Sequence, residues 1–324
     1  MHSIWGALNK TFLDNANNHK ERLSMTKVGV IGLGDMGSGL AKNLIKAGFN
    51  VTGLDLSEDR RAAFVGLGGI IAETPADAAD GADAIFIMVM NGSQVDTVLF
   101  GANGVMETLS DDAAIILTAT IKPIEARKIG NRVLAAGKQI IDSPVSGGFP
   151  GAQGGTLTMM AAAPDALLAS KRLVMDAVSA NIHHVGTKPG EGQSVKACLQ
   201  SLIGSIFAAT FEASTLAAKA GISGQVLYDV FSTSGAGCGV ANTALGNIID
   251  RQFEGTGSHI STMHKDLTIA LGFGEELGVP LHTASTAMQL FHAGKTKYPA
   301  GDNWVVTRVL EEIVGAELHR EKGK

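Results

Sequence analysis

Residues 27–37 read KVGVIGLGDMG, and this stretch decides the fold. Its first part, Lys27–Ile31, is a short and mostly apolar run that predicts a buried strand. Glycines at positions 32, 34 and 37 then match the G-x-G-x-x-G pattern, and apolar residues recur at helical spacing from Met36 to Ala47. A strand, a glycine turn and a helix in this order predict the phosphate-binding corner of a dinucleotide-binding unit.

An acid stands where such a unit would bind the adenosine ribose. Asp55 ends the second predicted strand, about 20 residues after the turn, and it favours NAD because it would repel the 2′-phosphate of NADP. Arg60 and Arg61 follow closely and could accommodate that phosphate, so NADP is a less favoured alternative. We expect the pyrophosphate to contact the start of the helix, at Gly32, Leu33, Gly34, Asp35, Met36 and Gly37.

Strand-like and helix-like segments alternate through residue 142. A nearly continuous apolar run, as expected for a parallel strand buried on both faces, occurs at 83–90, and further predicted strands follow at 113–117 and 139–142. Helical spacing occurs between them at 59–67, 93–100 and 123–136, and a strand, helix and strand follow at 156–161, 165–179 and 182–185. The alternation predicts an α/β fold, a Rossmann-type doubly wound parallel sheet.

The pattern changes after this sheet. From Ser194 to Ala220 the chain has no proline and keeps apolar residues at helical spacing, and the segments that follow also read as helical. We therefore predict an all-α C-terminal domain joined by a long interdomain helix. The expected boundaries are an extension at residues 1–24, a dinucleotide-binding domain at 25–189 and a substrate and oligomerisation domain at 190–324.

Composition excludes several classes of function. A net charge of −5 and a pI near 6.0 argue against a nucleic-acid partner, which needs a basic face. Cys198 and Cys238 lack the neighbours of a metal site or a disulfide framework, so we expect both to be reduced, the first packed in a helix. Without an uninterrupted apolar run of about 18 residues or a secretory signal, we expect a soluble, cytoplasmic protein with no membrane partner.

A second glycine-rich stretch lies at residues 142–157, DSPVSGGFPGAQGGTL, with five glycines, two prolines and two serines. Such a composition can bring backbone N–H groups and small hydroxyls against an anion. We predict that Ser146, Gly147 and Gly148 hold a substrate carboxylate without an arginine. A tight turn at the edge of the sheet is the alternative.

Two lysines complete a set of motifs. Lys196 follows Gly192 at the start of the long helix, and Lys265 opens the sequence Lys-Asp-Leu in a later helix. With GLGDMG and the serine–glycine stretch, in this order, these motifs resemble the β-hydroxyacid dehydrogenase family, which includes 3-hydroxyisobutyrate dehydrogenases and tartronate semialdehyde reductases.

The resemblance implies an oxidoreductase that transfers hydride between NAD and a small hydroxy acid, with Lys196 exchanging a proton with the substrate oxygen. Because a lysine with a pKa of about 10.4 is a poor base near neutrality, we expect burial or the cation Lys265 to lower this pKa. The resemblance also implies cofactor contacts near the nicotinamide from Val89, Met90, Thr120 and Lys265.

The residue four positions after the lysine is Gln200, where family members commonly have Asn. Positions i and i+4 share a helix face, so we predict that Gln200 contacts the substrate beside Lys196. The variation resembles the L-threonate dehydrogenase-type branch and favours a four-carbon sugar acid. The alternatives are 3-hydroxyisobutyrate, tartronate semialdehyde (2-hydroxy-3-oxopropionate) or, in another class, a non-catalytic NAD-binding regulatory protein. Apolar helices after a Rossmann domain further predict a homodimer or homotetramer.

Overall fold

The computed structural model describes residues 26–321, which form two compact units divided between Gln193 and Ser194. The extension expected at residues 1–24 lies outside the described residues. Each unit has its own hydrophobic core.

The first unit is built on a sheet of nine strands, which are β1 (Lys27–Ile31), β2 (Asn50–Leu54), β3 (Ile70–Ile71), β4 (Ala84–Ile87), β5 (Ala114–Leu117), β6 (Gln139–Asp142), β7 (Val145–Ser146), β8 (Leu157–Ala162) and β9 (Ser179–Gly186). Strands β1 to β6 are parallel in the order β3-β2-β1-β4-β5-β6. Strand β8 then pairs antiparallel with β6 and β7, and β9 pairs parallel with β8 at the edge. This order confirms the doubly wound sheet.

Seven helices accompany the sheet: α1 (Asp35–Ala47), α2 (Glu58–Gly66), α3 (Pro75–Ala79), α4 (Gly92–Phe100), α5 (Pro123–Ala135), α6 (Gly148–Gly154) and α7 (Asp165–Asp176). Every residue of β4 and β5 is buried, as expected of central parallel strands covered on both faces. Helix α1 ends as predicted at Gly48, which takes a left-handed conformation with φ 100°.

Strand β4 is shorter than predicted, because it ends at Ile87 instead of residue 90. Its neighbours β1 and β5 end at Ile31 and Leu117, which pair with Ile87 in the last register positions. Beyond them no strand continues the ladder. Val89 and Met90 therefore lie in the loop after the strand, and Met90 is 53% exposed.

The second unit is helical over its described residues, which confirms the all-α prediction. Its helices are α8 (Glu191–Lys219), α9 (Gly224–Thr233), α10 (Gly239–Ile249), α11 (Ile260–Leu277), α12 (His282–Lys297) and α13 (Val306–Val314), the first of which begins three residues before the division. Aromatic rings of Phe207, Phe211, Phe291 and Trp304 form the centre of the core.

Helix α8 is apolar enough by length and composition to cross a membrane. An 18-residue window has a mean hydropathy of 1.3, and 44% of that window is buried. Buried core helices pass the same test, so this is weak evidence for a span. The expectation of a packed cysteine on this helix is wrong, because Cys198 is exposed, as is Cys238. Its small side chain does not decide which helix face is buried.

Candidate active site

The turn between β1 and α1 contains two kinds of glycine. Gly32 has φ 91°, and a Cβ there would lie 2.3 Å from the Met88 carbonyl oxygen. A Cβ on Gly37 would lie 1.7 Å from the Gly32 carbonyl oxygen, so the protein itself requires both glycines. Gly34 differs, since the nearest atom to a Cβ there is 3.7 Å away in Arg60. A Cβ at Gly34 would therefore fit in ordinary contact with Arg60, at an α1 N-terminus that no side chain caps.

Asp55 follows β2 and is hydrogen-bonded to this turn. Its Oδ2 accepts the Leu33 N–H at 2.8 Å, and its Oδ1 accepts the Ser57 N–H at 2.9 Å. A carboxylate has about four acceptor positions, so both oxygens can still accept a hydroxyl. The Arg60 guanidinium lies 3.6 Å from Oδ1, whereas Arg61 pairs with Glu73. Of the two arginines only Arg60 is at this site. Uncapped helix N–H groups and a ribose acceptor together fit a nicotinamide dinucleotide.

Further residues predicted to contact the cofactor follow β4 and β5 at the carboxyl edge of the sheet, where ligands of such sheets bind. Val89 and Thr120 are half-buried, and the Met90 N–H donates to Gln94 Oε1 at 2.9 Å. The two loops are joined through Ile87, whose carbonyl oxygen accepts the N–H groups of residues 118 and 119. All three residues thus lie in the loops after β4 and β5, at the carboxyl edge of the sheet.

The serine–glycine stretch is more ordered than a loop. Ser146 is half-buried and pairs with Thr158 through β7 and β8, and it is followed by exposed Gly147 and Gly148 with φ 131° and 58°. Only glycine adopts these angles without strain. The residues predicted to hold the carboxylate are therefore the last residue of β7 and two exposed glycines with positive φ.

The later glycines of this stretch have another role. They form α6, which packs against α1, and the Asn43 side-chain amide donates to the Ala152 carbonyl oxygen at 2.8 Å. A Cβ on Gly39 would lie 2.5 Å from Ala152, so the two helices touch backbone to backbone. The sequence suggested that the whole stretch holds an anion, but the residues after Gly148 serve instead to pack α6 against α1.

In the second unit Lys196 and Gln200 are both buried, with 6% and 7% of their surfaces exposed. Gln200 Nε2 donates to Asp266 Oδ2 at 2.5 Å, and Lys265 Nζ lies 3.0 Å from Asp266 Oδ1. Among the described residues, Gln200 Oε1 is buried without a hydrogen-bond partner. One amide oxygen is therefore left to accept a hydrogen bond from a ligand.

Burial lowers the pKa of Lys196 below its ordinary value, and the Lys265 cation lowers it further. The Asp266 carboxylate acts in the opposite direction and favours the charged ammonium. Both causes expected from the sequence are present, and burial is the larger. A lysine whose pKa is lowered gives up its proton more readily than an exposed lysine, as a general acid–base group must.

Sequence reasoning missed Asp142 and Gln193, which are buried and hydrogen-bonded to each other, and gave Asp266 no role. Their only signal in the sequence was their position in the motifs: Asp142 opens the serine–glycine stretch, Gln193 follows Gly192, and Asp266 is part of Lys-Asp-Leu. Over residues 26–321, no group of three or more His, Cys, Asp or Glu side chains is placed to hold a metal ion.

Two family models match the chain. Residues 27–186 match the NAD-binding domain of 6-phosphogluconate dehydrogenase, and residues 190–310 match the NAD-binding family of NADP-dependent 3-hydroxyisobutyrate dehydrogenase. Among curated relatives, the L-threonate dehydrogenase of Escherichia coli K12 is 32% identical over 88% of this chain and 95% of its own length. The 2-(hydroxymethyl)glutarate dehydrogenase of Eubacterium barkeri is 32% identical over 90% of this chain and 97% of its own.

A solved structure is also similar. The crystal structure of a 3-hydroxyisobutyrate dehydrogenase from Salmonella typhimurium superposes with a TM-score of 0.80 and 31% identity, covering 88% of this chain and 99% of that chain. These relatives extend over both units of the molecule.

Proposed function

Because the chain belongs to the β-hydroxyacid dehydrogenase family of NAD(P)-binding oxidoreductases, we propose that its substrate is a four-carbon sugar acid such as L-threonate, with NAD as the preferred cofactor. The buried, unpaired Oε1 of Gln200 carries this proposal. An unpaired buried acceptor is costly, and a hydroxyl of a polyhydroxylated acid would satisfy it. The methyl group of 3-hydroxyisobutyrate could not.

Lys196 is the proposed proton-exchanging catalytic residue. A bound nicotinamide would supply the acceptor for the hydride that leaves the alcohol carbon. The neutral Lys196 amine would take the hydroxyl proton during oxidation, and the ammonium would return it during reduction. Burial favours the neutral amine, which suits oxidation.

The remaining site residues would orient the reactants. Ser146, Gly147 and Gly148 would hold the carboxylate through a hydroxyl and backbone N–H groups. Thr120, Val89, Met90 and Lys265 would contact the cofactor near its nicotinamide, and residues 32–37 would contact its pyrophosphate.

Preference for NAD is supported by the Asp55 carboxylate, which would accept ribose hydroxyls and repel a 2′-phosphate. The neighbouring Arg60 weakens this repulsion, because its guanidinium lies 3.6 Å from Asp55. We therefore expect NAD to be preferred by a moderate factor, with measurable use of NADP.

We also propose a homo-oligomer that forms through α8, in the cytoplasm. Along this helix seven apolar residues repeat at alternating steps of four and three, which is the spacing of a helix–helix seam: Val195, Leu199, Leu202, Ile206, Ala209, Ala213 and Leu216. Leu202 and Leu216 are 58% and 72% exposed. A seam on one face suits a partner helix better than lipid, which would contact all faces. Light scattering of Leu202→Glu against the wild type would detect the loss of the oligomer.

The substrate is tested by initial rates of NAD reduction with L-threonate, D-erythronate, 3-hydroxyisobutyrate and glycerate. We expect kcat/KM for a four-carbon acid to exceed that for 3-hydroxyisobutyrate by roughly tenfold or more, because 3-hydroxyisobutyrate has no hydroxyl besides the reacting one to donate to the Gln200 oxygen. A preference for 3-hydroxyisobutyrate would instead support the alternative function of a 3-hydroxyisobutyrate dehydrogenase, which the similarity to the Salmonella structure favours. No NAD reduction with any of the four acids, together with tight NADH binding, would support a non-catalytic protein.

A further inference from the structure

Asp142 is a fully buried acid that the proposed reaction does not use. It ends β6 at the carboxyl edge of the parallel strands, and its exposed fraction is 0%. Its Oδ2 accepts the N–H groups of Gly190 at 2.7 Å and Gln193 at 3.2 Å. Its Oδ1 accepts Gln193 Nε2 at 3.1 Å. The carboxylate therefore binds the first residues of α8 to the end of β6.

The Gln193 side chain extends this contact to a third segment. Its Nε2 donates to the Ala119 carbonyl oxygen at 2.9 Å, and its Oε1 accepts the Ile121 N–H at 3.1 Å. The side chain is 1% exposed, and both ends of its amide are occupied. One glutamine thus holds the backbone on either side of Thr120.

The close approach of these segments leaves no room for a side chain. A Cβ on Gly192 would lie 2.6 Å from the carbonyl oxygens of Asp142 and Met160 and 3.0 Å from Pro144. Pro144 precedes Ser146 by two residues. The helix start, the β5 loop and the segment leading to Ser146 are therefore packed around one carboxylate.

We propose that Asp142 and Gln193 are positioning residues of the dehydrogenase reaction, which fix Thr120, the Ser146 segment and the first turn of α8 in one arrangement. The proposal rests on the function proposed above for Thr120 and Ser146. Small displacements of such groups are sufficient to slow catalysis, since a shift of about 1 Å can cost about a hundredfold in rate.

The contacts require an ionised carboxylate. Three N–H donors meet Asp142, and a protonated carboxyl would direct its own O–H at one of them. Burial opposes ionisation and raises the pKa of Asp142 to about 6, although the hydrogen bonds of Gln193 and Gly190 lower it. The arrangement is therefore complete at pH 8 and is lost as the pH falls through about 6.

Few charges face this carboxyl. Strands β5 and β8, which flank β6, carry no charged residue. On the other packed elements, the Arg127 side-chain stem of α5 lies against Gly190, and Glu191 accepts the Lys188 N–H at 2.8 Å. The acid transition at this site is thus expected to belong to Asp142.

The first measurement is hydrogen–deuterium exchange of the full-length protein, which needs no substrate. We compare Gln193→Met, which keeps the length but removes the amide, and Asp142→Asn, which places donors opposite donors. In peptides covering residues 118–123 and 188–194 we expect exchange about tenfold faster than in the wild type at pH 8. The wild type should show the same change below pH 6, beyond the intrinsic effect of pH.

The second measurement is kcat at pH 8, where we expect a loss of about tenfold to a hundredfold in both variants. The wild type should show an acid limb near pH 6 that Asp142→Asn lacks. The control is Ser179→Ala, which removes another buried hydrogen bond of this unit, from Ser179 Oγ to the Met175 carbonyl oxygen, and should keep the wild-type kcat.

Two outcomes would overturn the proposal: unchanged exchange in both variants, or faster exchange with wild-type kcat and pH profile, since the residues would then be merely structural. If the wild type oxidises no hydroxy acid, the proposed function fails on its own. The exchange data would still decide whether Asp142 and Gln193 fix these segments.

Discussion

The two units present their proposed site residues in different ways. In the first unit the proposed positions are backbone positions, such as Gly34, where a Cβ would come no closer than 3.7 Å to another atom, and Gly147, whose φ of 131° only glycine adopts without strain. In the second unit they are buried polar and charged side chains, namely Lys196, Gln200 and Asp266. The first arrangement is sensitive to added atoms, and the second is sensitive to removed charges.

The difference matches the two tasks of a dehydrogenase. A pyrophosphate is held by N–H groups that every residue has, so the chain only needs to bring its backbone close. Proton exchange needs a group whose pKa lies near the working pH, and only side chains in a suitable environment provide one.

The largest effect is expected from Lys196→Met, which keeps an apolar stem and removes the amine. We expect kcat to fall by about a hundredfold to ten-thousandfold, the usual contribution of a general acid–base group. NADH binding, followed by fluorescence, should stay within about threefold of the wild type, because the pyrophosphate contacts belong to the first unit. Turnover retained in this variant would remove Lys196 from the mechanism.

A matched pair of alanines tests the first unit. Gly37→Ala should lose stability by about 1–3 kcal/mol or fail to fold, since its Cβ would lie 1.7 Å from the Gly32 carbonyl oxygen. Gly34→Ala should unfold at the wild-type temperature, because the nearest atom is 3.7 Å away, yet bind NADH at least tenfold more weakly. Thermal unfolding and NADH titration measure the two effects. Wild-type NADH binding by Gly34→Ala would contradict the proposed pyrophosphate site.

The same difference explains what the sequence could predict. The turn, α1 and the position of Asp55 follow from local spacing within about 20 residues, and the structure contains them as expected. Strand β3 was not predicted, because two residues are too few to show a strand pattern and the strand forms by pairing with β2. Helix α6 was not predicted because its three glycines disfavour a helix in isolation, and packing against α1 stabilises it.

Side-chain partners were largely beyond prediction. Gln200 and Asp266 are 66 positions apart, and Gln193 and Asp142 are 51 apart. The i, i+4 spacing correctly places Gln200 on the helix face of Lys196 among buried residues. It gives no indication that the amide is held by an acid from another helix, because that contact depends on how α8 and α11 pack.

The next effect is a pair of opposite shifts in the pH profile. Asp266→Asn removes the anion that raises the pKa of Lys196, so the rise of kcat/KM for oxidation should move to lower pH. Lys265→Gln removes a cation that lowers this pKa, so the rise should move to higher pH. Shifts of about one unit are typical of such neighbours. Shifts of the same sign in both variants would show that Lys196 is not the titrating group.

The smallest effect concerns cofactor preference and returns to the first unit, where Asp55 and Arg60 form a charged pair. Asp55→Asn should lower the ratio of kcat/KM for NAD to that for NADP by about tenfold, because the repulsion of the 2′-phosphate is lost. Arg60→Gln should raise the ratio by a smaller factor, since this half-exposed guanidinium lies 3.6 Å from Asp55 and is screened by solvent. Arg61→Gln is the matched control, because Arg61 pairs with Glu73 and should leave the ratio unchanged. An equal response to both arginine substitutions would mean that net charge, not the position of Arg60, sets the preference.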